Sequence, residues 1–411
     1  MLIRQDVFII CLDKILLLCA LGLLIPSGVL FIECVTALFW QPADVTEAEV
    51  NKHPKLTVLV PAHNEASCIR TTLETVTPQL QPQDQLVVVA DNCNDDTAAI
   101  ARAAGATVIE RQDSERRGKG YALDYGLQFI EANPPDVVVL VDADCRVEPD
   151  VIRRITRRAI ATGRPVQAVY LMEKPENPGP KDAVSAFAFK VKNLVRPLGL
   201  TQLGFPCPLT GSGMAFPWSV IRSVELASGH IVEDMKLGLD LAIAGYPTNL
   251  CATAHVIGCL PQQQQASESQ RTRWEHGHLQ TLLTYAPLLL IAAVQQKRFD
   301  LFVMALDLAV PPLSLLVALW VGAMGATLLA ISILGTFGIP ALLLATAGML
   351  LISAILAAWV RFGQTDLSTL TLLTIPLYIV WKIPLYFRFL IKPQRKWIRT
   401  SRESVNPSET R

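Results

Sequence analysis

Two carboxylates one residue apart, Asp142 and Asp144, close the apolar run VVVLVD. Hard oxygen ligands at that spacing suit Mg2+ or Mn2+ bridged to phosphates, and an Asp-rich turn is the plainer reading of the same residues. Asp91 follows a second apolar run, LVVVA, and Asn64-Glu65 follow a third, LTVLVP. Acceptors of this kind suit a ribose or a base, and the same residues also read as helix caps. Arg116-Arg117-Gly118-Lys119-Gly120 sets cations and backbone N–H groups at a helix start, as a phosphate-handling loop or a solvated basic turn; the Walker A spacing is absent. Glu233-Asp234 open the helical stretch EDMKLGLDLAIAGY, either as dipole partners or as a reactive pair. Gln270, Arg273 and Trp274 join a guanidinium fork to an indole, suited to phosphate and sugar or to a membrane interface.

These residues need a scaffold that brings strand ends together. Short Val-rich runs from Leu56, Leu86 and Val137 alternate with amphipathic stretches from about Ser67, Asp96 and Pro149. Strands without polar alternation imply a parallel sheet buried on both faces. Ligands of such sheets bind beyond the carboxyl ends of the strands, where Asn64, Asp91 and Asp142 stand.

Outside this region the chain turns apolar. No residue from Ile15 to Ile32 is charged, and Asp307 is the only charged residue between Leu301 and Val360. Both stretches reach membrane-spanning length. A cleaved signal peptide is the alternative for the first, although no A-x-A-like site ends the run. The expected layout is an N-terminal transmembrane segment (1–40), a linker (41–53), an α/β domain (54–280), an interfacial helix (281–298), a C-terminal region of two or three spans (299–391) and a basic cytosolic tail (392–411). Three C-terminal spans would place that tail outside, against the rule that basic flanks stay inside. The last span, interrupted by Pro376, Lys382, Pro384 and Arg388, is therefore read as re-entrant or interfacial.

In order, Asp91, Asp142-x-Asp144, Glu233-Asp234 and Gln270-x-x-Arg273-Trp274, followed by a membrane region, resemble the D, DxD, ED, QxxRW series of membrane-integrated processive glycosyltransferases of family 2, such as cellulose, chitin, hyaluronan and poly-N-acetylglucosamine synthases. The pattern runs from about Leu56 to Trp274. The resemblance implies a GT-A-type, Rossmann-like, mostly parallel sheet flanked by transmembrane helices, and inverting transfer from a nucleotide sugar, a UDP-sugar by preference. It implies Asp234 as base beside Glu233, and Asp144 as metal ligand with Asp142 near the donor or the metal. Pro61, Asn64, Glu65, Asp91 and Lys119 would bind the donor. Gln270, Arg273, Trp274 and the Gly211-Ser212-Gly213 loop would face pyrophosphate and acceptor. The implied cofactor is Mg2+ or Mn2+. The implied partners are the nucleotide sugar, a glycan or lipid-linked acceptor, membrane lipids, and export subunits or a second copy. The implied setting is the cell membrane with the catalytic domain cytoplasmic.

Composition limits the alternatives. The 411 residues carry 36 Lys+Arg against 36 Asp+Glu, so the zero formal charge offers no footprint for nucleic acid. Nine scattered cysteines without a C-x-x-C pair read as reduced thiols. His63, His255, His276 and His278 read as non-catalytic. A nucleotidyltransferase is disfavoured because PAHNEAS replaces a glycine-rich turn; single-sugar transfer to a lipid, or an inactive scaffold of an export complex, stay open.

Overall fold

A computed structural model describes residues 2–41, 53–173, 179–259, 264–335 and 338–391. Most of the expected linker, the basic tail, and Gln262 and Gln263 lie outside the described residues. In chain order the elements are α1 (Leu2–Ala37), β1 (Leu56–Ala62), α2 (Ile69–Val76), β2 (Gln85–Asp91), α3 (Thr97–Ala103), β3 (Thr107–Arg111), α4 (Lys119–Ile130), β4 (Val137–Leu140), β5 (Cys145–Val147), α5 (Val151–Thr162), β6 (Val166–Glu173), α6 (Pro180–Lys190), α7 (Arg196–Gln202), β7 (Met214–Pro217), α8 (Trp218–Ile221), α9 (Glu233–Ile243), β8 (Asn249–Cys259), α10 (Gln264–Gln296), α11 (Phe299–Leu308), α12 (Leu313–Leu334), α13 (Ile339–Ala358), α14 (Thr369–Leu372) and α15 (Ile375–Ile391). They fall into two compact units.

The unit that holds 41–177 and 204–281 is built on one eight-stranded sheet, in the order β3-β2-β1-β4-β7-β6-β8-β5. The Val-rich runs pair in parallel as β2-β1-β4, β3 joins β2 in parallel, and β6 pairs β8 in parallel. The sheet is mixed rather than purely parallel, because β7 runs antiparallel between β4 and β6, and β5 runs antiparallel to β8. Val58, Leu59 and Val60 in β1 and Val137 to Leu140 in β4 are fully buried, which explains their lack of polar alternation.

At β1 the order of connection reverses, so a crevice opens beyond its carboxyl end. The last β1–β4 pair is Leu59 with Leu140, whereas β1 follows β2 as far as Ala62. Pro61, which lacks an N–H, lies past the point where β4 departs. Strand β4 ends at Leu140, so Asp142 to Asp144 occupy the turn into β5 and not the strand itself.

The other unit comprises 1–40, 178–203 and 282–393. Residues 178–203 lie inside the stretch read as one domain, yet they group with the apolar helices. Their buried Phe187, Val195, Leu198 and Leu200 explain the grouping. Buried Arg196 donates to Glu33 of α1 at 2.6 Å and to Asp307 of α11 at 2.5 Å. Four helical segments among the described residues are long and apolar enough to cross a membrane: Val7–Ala37, Glu268–Gln296, Leu313–Leu334 and Ile339–Gly363.

One boundary differs from expectation. The stretch expected as a separate interfacial helix from 281 is continuous with Gln270 to Trp274 in α10, although the two units divide at Thr281 and Leu282, next to the expected end of the α/β domain. In the C-terminal region α11 ends at Leu308, Pro311-Pro312 follow, and the spanning-length helix α12 begins at Leu313. The interrupted last segment forms α15, a helix of 17 residues with Pro384 inside, and is not among the four.

Candidate functional site

Lys119, the first residue of α4, is the hub of the site. Its Nζ pairs with a carboxylate oxygen of Asp142, donates to the Gly211 carbonyl at 2.6 Å, and stands 3.9 Å from Glu233 Oε1. Burial alone would pull the ammonium down, but Asp142, Glu233 and Asp234 outweigh it and hold Lys119 above its ordinary value. The same burial pushes Asp142 up to about 6 and Glu233 up to about 7, against the pull of Lys119.

Gly211 explains how the carboxylates come so close. Its φ is +114°, and a Cβ there would sit 3.1 Å from Asp234 Oδ2 and 3.9 Å from Asp142 Oδ2. Only a glycine leaves that space free without backbone strain. Ser212 Oγ accepts from the Asp142 N–H at 3.0 Å, and Gly213 leads into β7. The DxD turn, the glycine loop and the first turn of α9 therefore meet at one point. An open pocket beside them is lined by Lys119, Glu233, Asp234, Met214, Ser228 and Lys236.

Ligand atoms of Asp142, Asp144 and Cys145 lie within 4.8 Å of one another. The carboxylates suit a hard divalent cation. Cys145 does not, because burial raises its thiol well above the ordinary value and keeps it protonated.

The α10 residues approach from another side. A Cβ on Gly277 would meet Val232 Cγ1 at 2.6 Å, so α10 lies directly on the residue that precedes Glu233. Arg273 is close enough to Glu233 to lower its affinity for a proton. Gln270 is buried, and its Oε1, like Arg273 Nε, has no hydrogen-bond partner among the described residues. Trp274 lies on the same helix.

The residues expected to bind the donor form a second cluster, at the ends of β1 and β2. Asn64 Oδ1 accepts from the Asn94 N–H at 2.8 Å, and the Glu65 N–H donates to Thr97 Oγ1 at 2.8 Å. These bonds join two turns; at the start of α3 Asp95 Oδ1 accepts from the Thr97 N–H at 3.0 Å, so the capping alternative holds there beside the turn-to-turn bonds, whereas the first residue before α2, Cys68, makes no side-chain cap bond. Asp91 is buried and paired with Arg111 at 2.7 Å. Burial raises the Asp91 pKa despite that partner. Arg111 also binds Asp113 and lies over the Tyr121 ring on α4, two residues from Lys119.

Arg111, Gln167 and Gly277 were not singled out from the sequence. Each acts across the sheet or between helices, and the only local signal, for Arg111 and Gln167, is a polar residue at the end of, or within, a strand run. His63 and Asp91 are joined through the Asp91 carbonyl, 2.6 Å from His63 Nδ1, and His276 and His278 are buried in α10.

A family model described as glycosyltransferase like family 2 matches residues 53–277. The probable glycosyltransferase YdaM of Bacillus subtilis is 27% identical over 278 residues, 61% of each chain. The 4,4'-diaponeurosporenoate glycosyltransferase of Staphylococcus aureus is 35% identical over 95 residues, 22% of this chain and 24% of its own. The chain thus matches less than two thirds of the length of these relatives. Among solved structures, the mannosyltransferase PcManGT of Pyrobaculum calidifontis, in complex with GDP-Man and Mn2+, has the same fold: TM-score 0.57 and 18% identity, over 92% of this chain and 100% of the other.

Proposed function

The chain belongs to the glycosyltransferase like family 2, and from that premise we propose that it moves a sugar from a nucleotide-sugar donor to a hydroxyl-bearing acceptor, with inversion at the anomeric carbon. The observation that carries this reading is the meeting of the Asp142 turn, the first turn of α9 and the Gly211 loop around the Lys119 ammonium. An acceptor hydroxyl must lose its proton as it attacks, and Asp234, facing the open pocket, takes it. Glu233, held beside Lys119, orients that first turn. Lys119 balances the carboxylates and offers its positive charge to the donor diphosphate.

Asp144, with Asp142, would hold Mg2+ or Mn2+, and the ion when bound neutralises charge building on the leaving diphosphate. Pro61, Asn64, Glu65 and Asp91 line the side where the nucleoside sits, and Arg273 with Trp274 closes over the diphosphate and acceptor. The acceptor is a growing polysaccharide or a lipid-linked glycan, and transfer takes place at the cytoplasmic face of the membrane. A single transfer to a lipid is the second reading, favoured by the small number of spanning-length helices among the described residues.

The test is nucleotide release by purified protein in lipid nanodiscs, supplied with a panel of UDP- and GDP-sugars, Mg2+ or Mn2+, and membrane lipid extract. Release of nucleoside diphosphate with a glycosylated product by mass spectrometry is expected; product length separates polymer from single transfer. Release of pyrophosphate would replace this reading with nucleotidyl transfer, and silence across the panel with an inactive scaffold.

A further inference from the structure

We propose that Gln167 is a positioning residue for the transfer step, fixing residues 210–212 and through them the separation of Asp142 from Asp234. The inference rests on the reading of the site as a transferase centre. Gln167 lies on β6, is 1% exposed, and touches neither the open pocket nor the carboxylates. Its Oε1 accepts from the Thr210 N–H at 2.9 Å, and its Nε2 donates to the Ser212 carbonyl at 2.8 Å and the Ala168 carbonyl at 2.7 Å. One side chain thus holds the residues on either side of Gly211.

The sheet explains why a side chain is needed. The β6–β7 ladder contains only Val166 with Ala215 and Gln167 with Met214. Backbone bonds continue as far as Gly213, which accepts from the Ala168 N–H at 2.8 Å and donates to the Leu140 carbonyl at 3.0 Å. Gln167 extends that restraint past the end of the ladder, to 210 and 212. The loop it holds makes two bonds to the site: the Gly211 carbonyl to Lys119, and Ser212 Oγ to the Asp142 N–H. A buried amide is costly unless fully bonded, and in the run VQAVYLM an apolar residue would fill this position at no such cost. The bonds made by Gln167 are those that set the site's geometry.

The experiment compares full-length wild type, Gln167→Met and Gln167→Glu in nanodiscs by hydrogen exchange, steady-state kinetics and melting temperature. Gln167→Met removes both polar ends at similar volume. Exchange at residues 210–212 is expected to quicken about tenfold, as local opening becomes easier. A misplacement of this kind should lower kcat about 100-fold and move donor KM far less. Gln167→Glu keeps an acceptor for Thr210 but turns a carboxylate oxygen on the Ser212 and Ala168 carbonyls, so its loss should equal or exceed that of the Met variant. If the Met variant does not fold, the Glu variant decides by the same readouts. Unchanged exchange at 210–212, or a loss confined to KM, overturns the proposal. A wild type that transfers no sugar sinks the transferase reading separately, and the exchange result still decides whether Gln167 anchors the loop.

Discussion

Asp234 is the one carboxylate around Lys119 for which no hydrogen bond or ion pair is found among the described residues, and a general base needs its lone pairs free. Asp234→Asn keeps the shape and removes the base, so kcat should fall by about 10²–10⁴ with donor affinity little changed; turnover at the wild-type rate would remove Asp234 from that role. Glu233 is different, because burial holds its carboxyl up to about 7 from an ordinary 4.5. The folded state therefore keeps a proton that the unfolded chain releases earlier. Its contribution to stability is full below about pH 4.5 and is lost as pH rises through 7. Glu233→Gln lacks that loss, so its melting temperature relative to wild type should climb between pH 5 and 8; a flat or falling difference would count against the assignment. The acidic residues of the site were legible in the sequence because each stands at or shortly past the end of a strand or opens a helix, where local pattern tells position. Gln167 and Arg111 were not, since their partners lie 45 and 20 residues away and a polar residue in a strand run does not say what it meets.

Elements bring these side chains to one place, and the contact of α10 with the start of α9 is the most sharply constrained. Gly277 has no room for a Cβ against Val232. In an isolated helix Gly→Ala would stabilise by about 1 kcal/mol, but here the methyl must push α10 away from the residue next to Glu233. Gly277→Ala should therefore lower turnover about tenfold or more despite its better helix propensity, because small displacements of reacting groups are costly. Val232→Ala reopens the space, and the double variant should regain much of the lost activity. No recovery in the double variant would mean that the close approach does not position Glu233-Asp234. The βαβ order of this unit could be read from period and punctuation, and so could the crevice beyond β1. The antiparallel placement of β7 could not, because MAFP is too short to show a period and its partners are set by the sheet. The continuity of α10 was hidden in the same way: polar before Thr281 and apolar after it, the helix reads as two segments of different kind.

At the scale of the whole molecule, the neutral total charge hides a division between a charged sheet unit and an apolar helical one. The apolar unit has its own buried polar centre, Arg196 with Glu33 and Asp307, which joins three parts of the chain far apart in sequence. Ionisable groups at such depth are expensive unless paired. Its members were legible only as exceptions, a lone Asp307 in an apolar stretch and Glu33 just after another, since apolar pattern carries no record of which charges meet. Two carboxylates share one guanidinium, so the loss of Arg196 leaves both without a counter-charge. Arg196→Met should destabilise this unit by about 3–5 kcal/mol, the usual cost of breaking a buried pair, read as a lower melting temperature in detergent. Replacing all three, with Glu33→Gln and Asp307→Asn alongside Arg196→Met, removes the uncompensated charges and should recover part of that loss. If the single variant melts with wild type, or the triple variant melts below the single, the cluster does not hold 178–203 among the apolar helices by charge pairing, and packing of residues such as Phe187 and Leu198 carries that grouping instead.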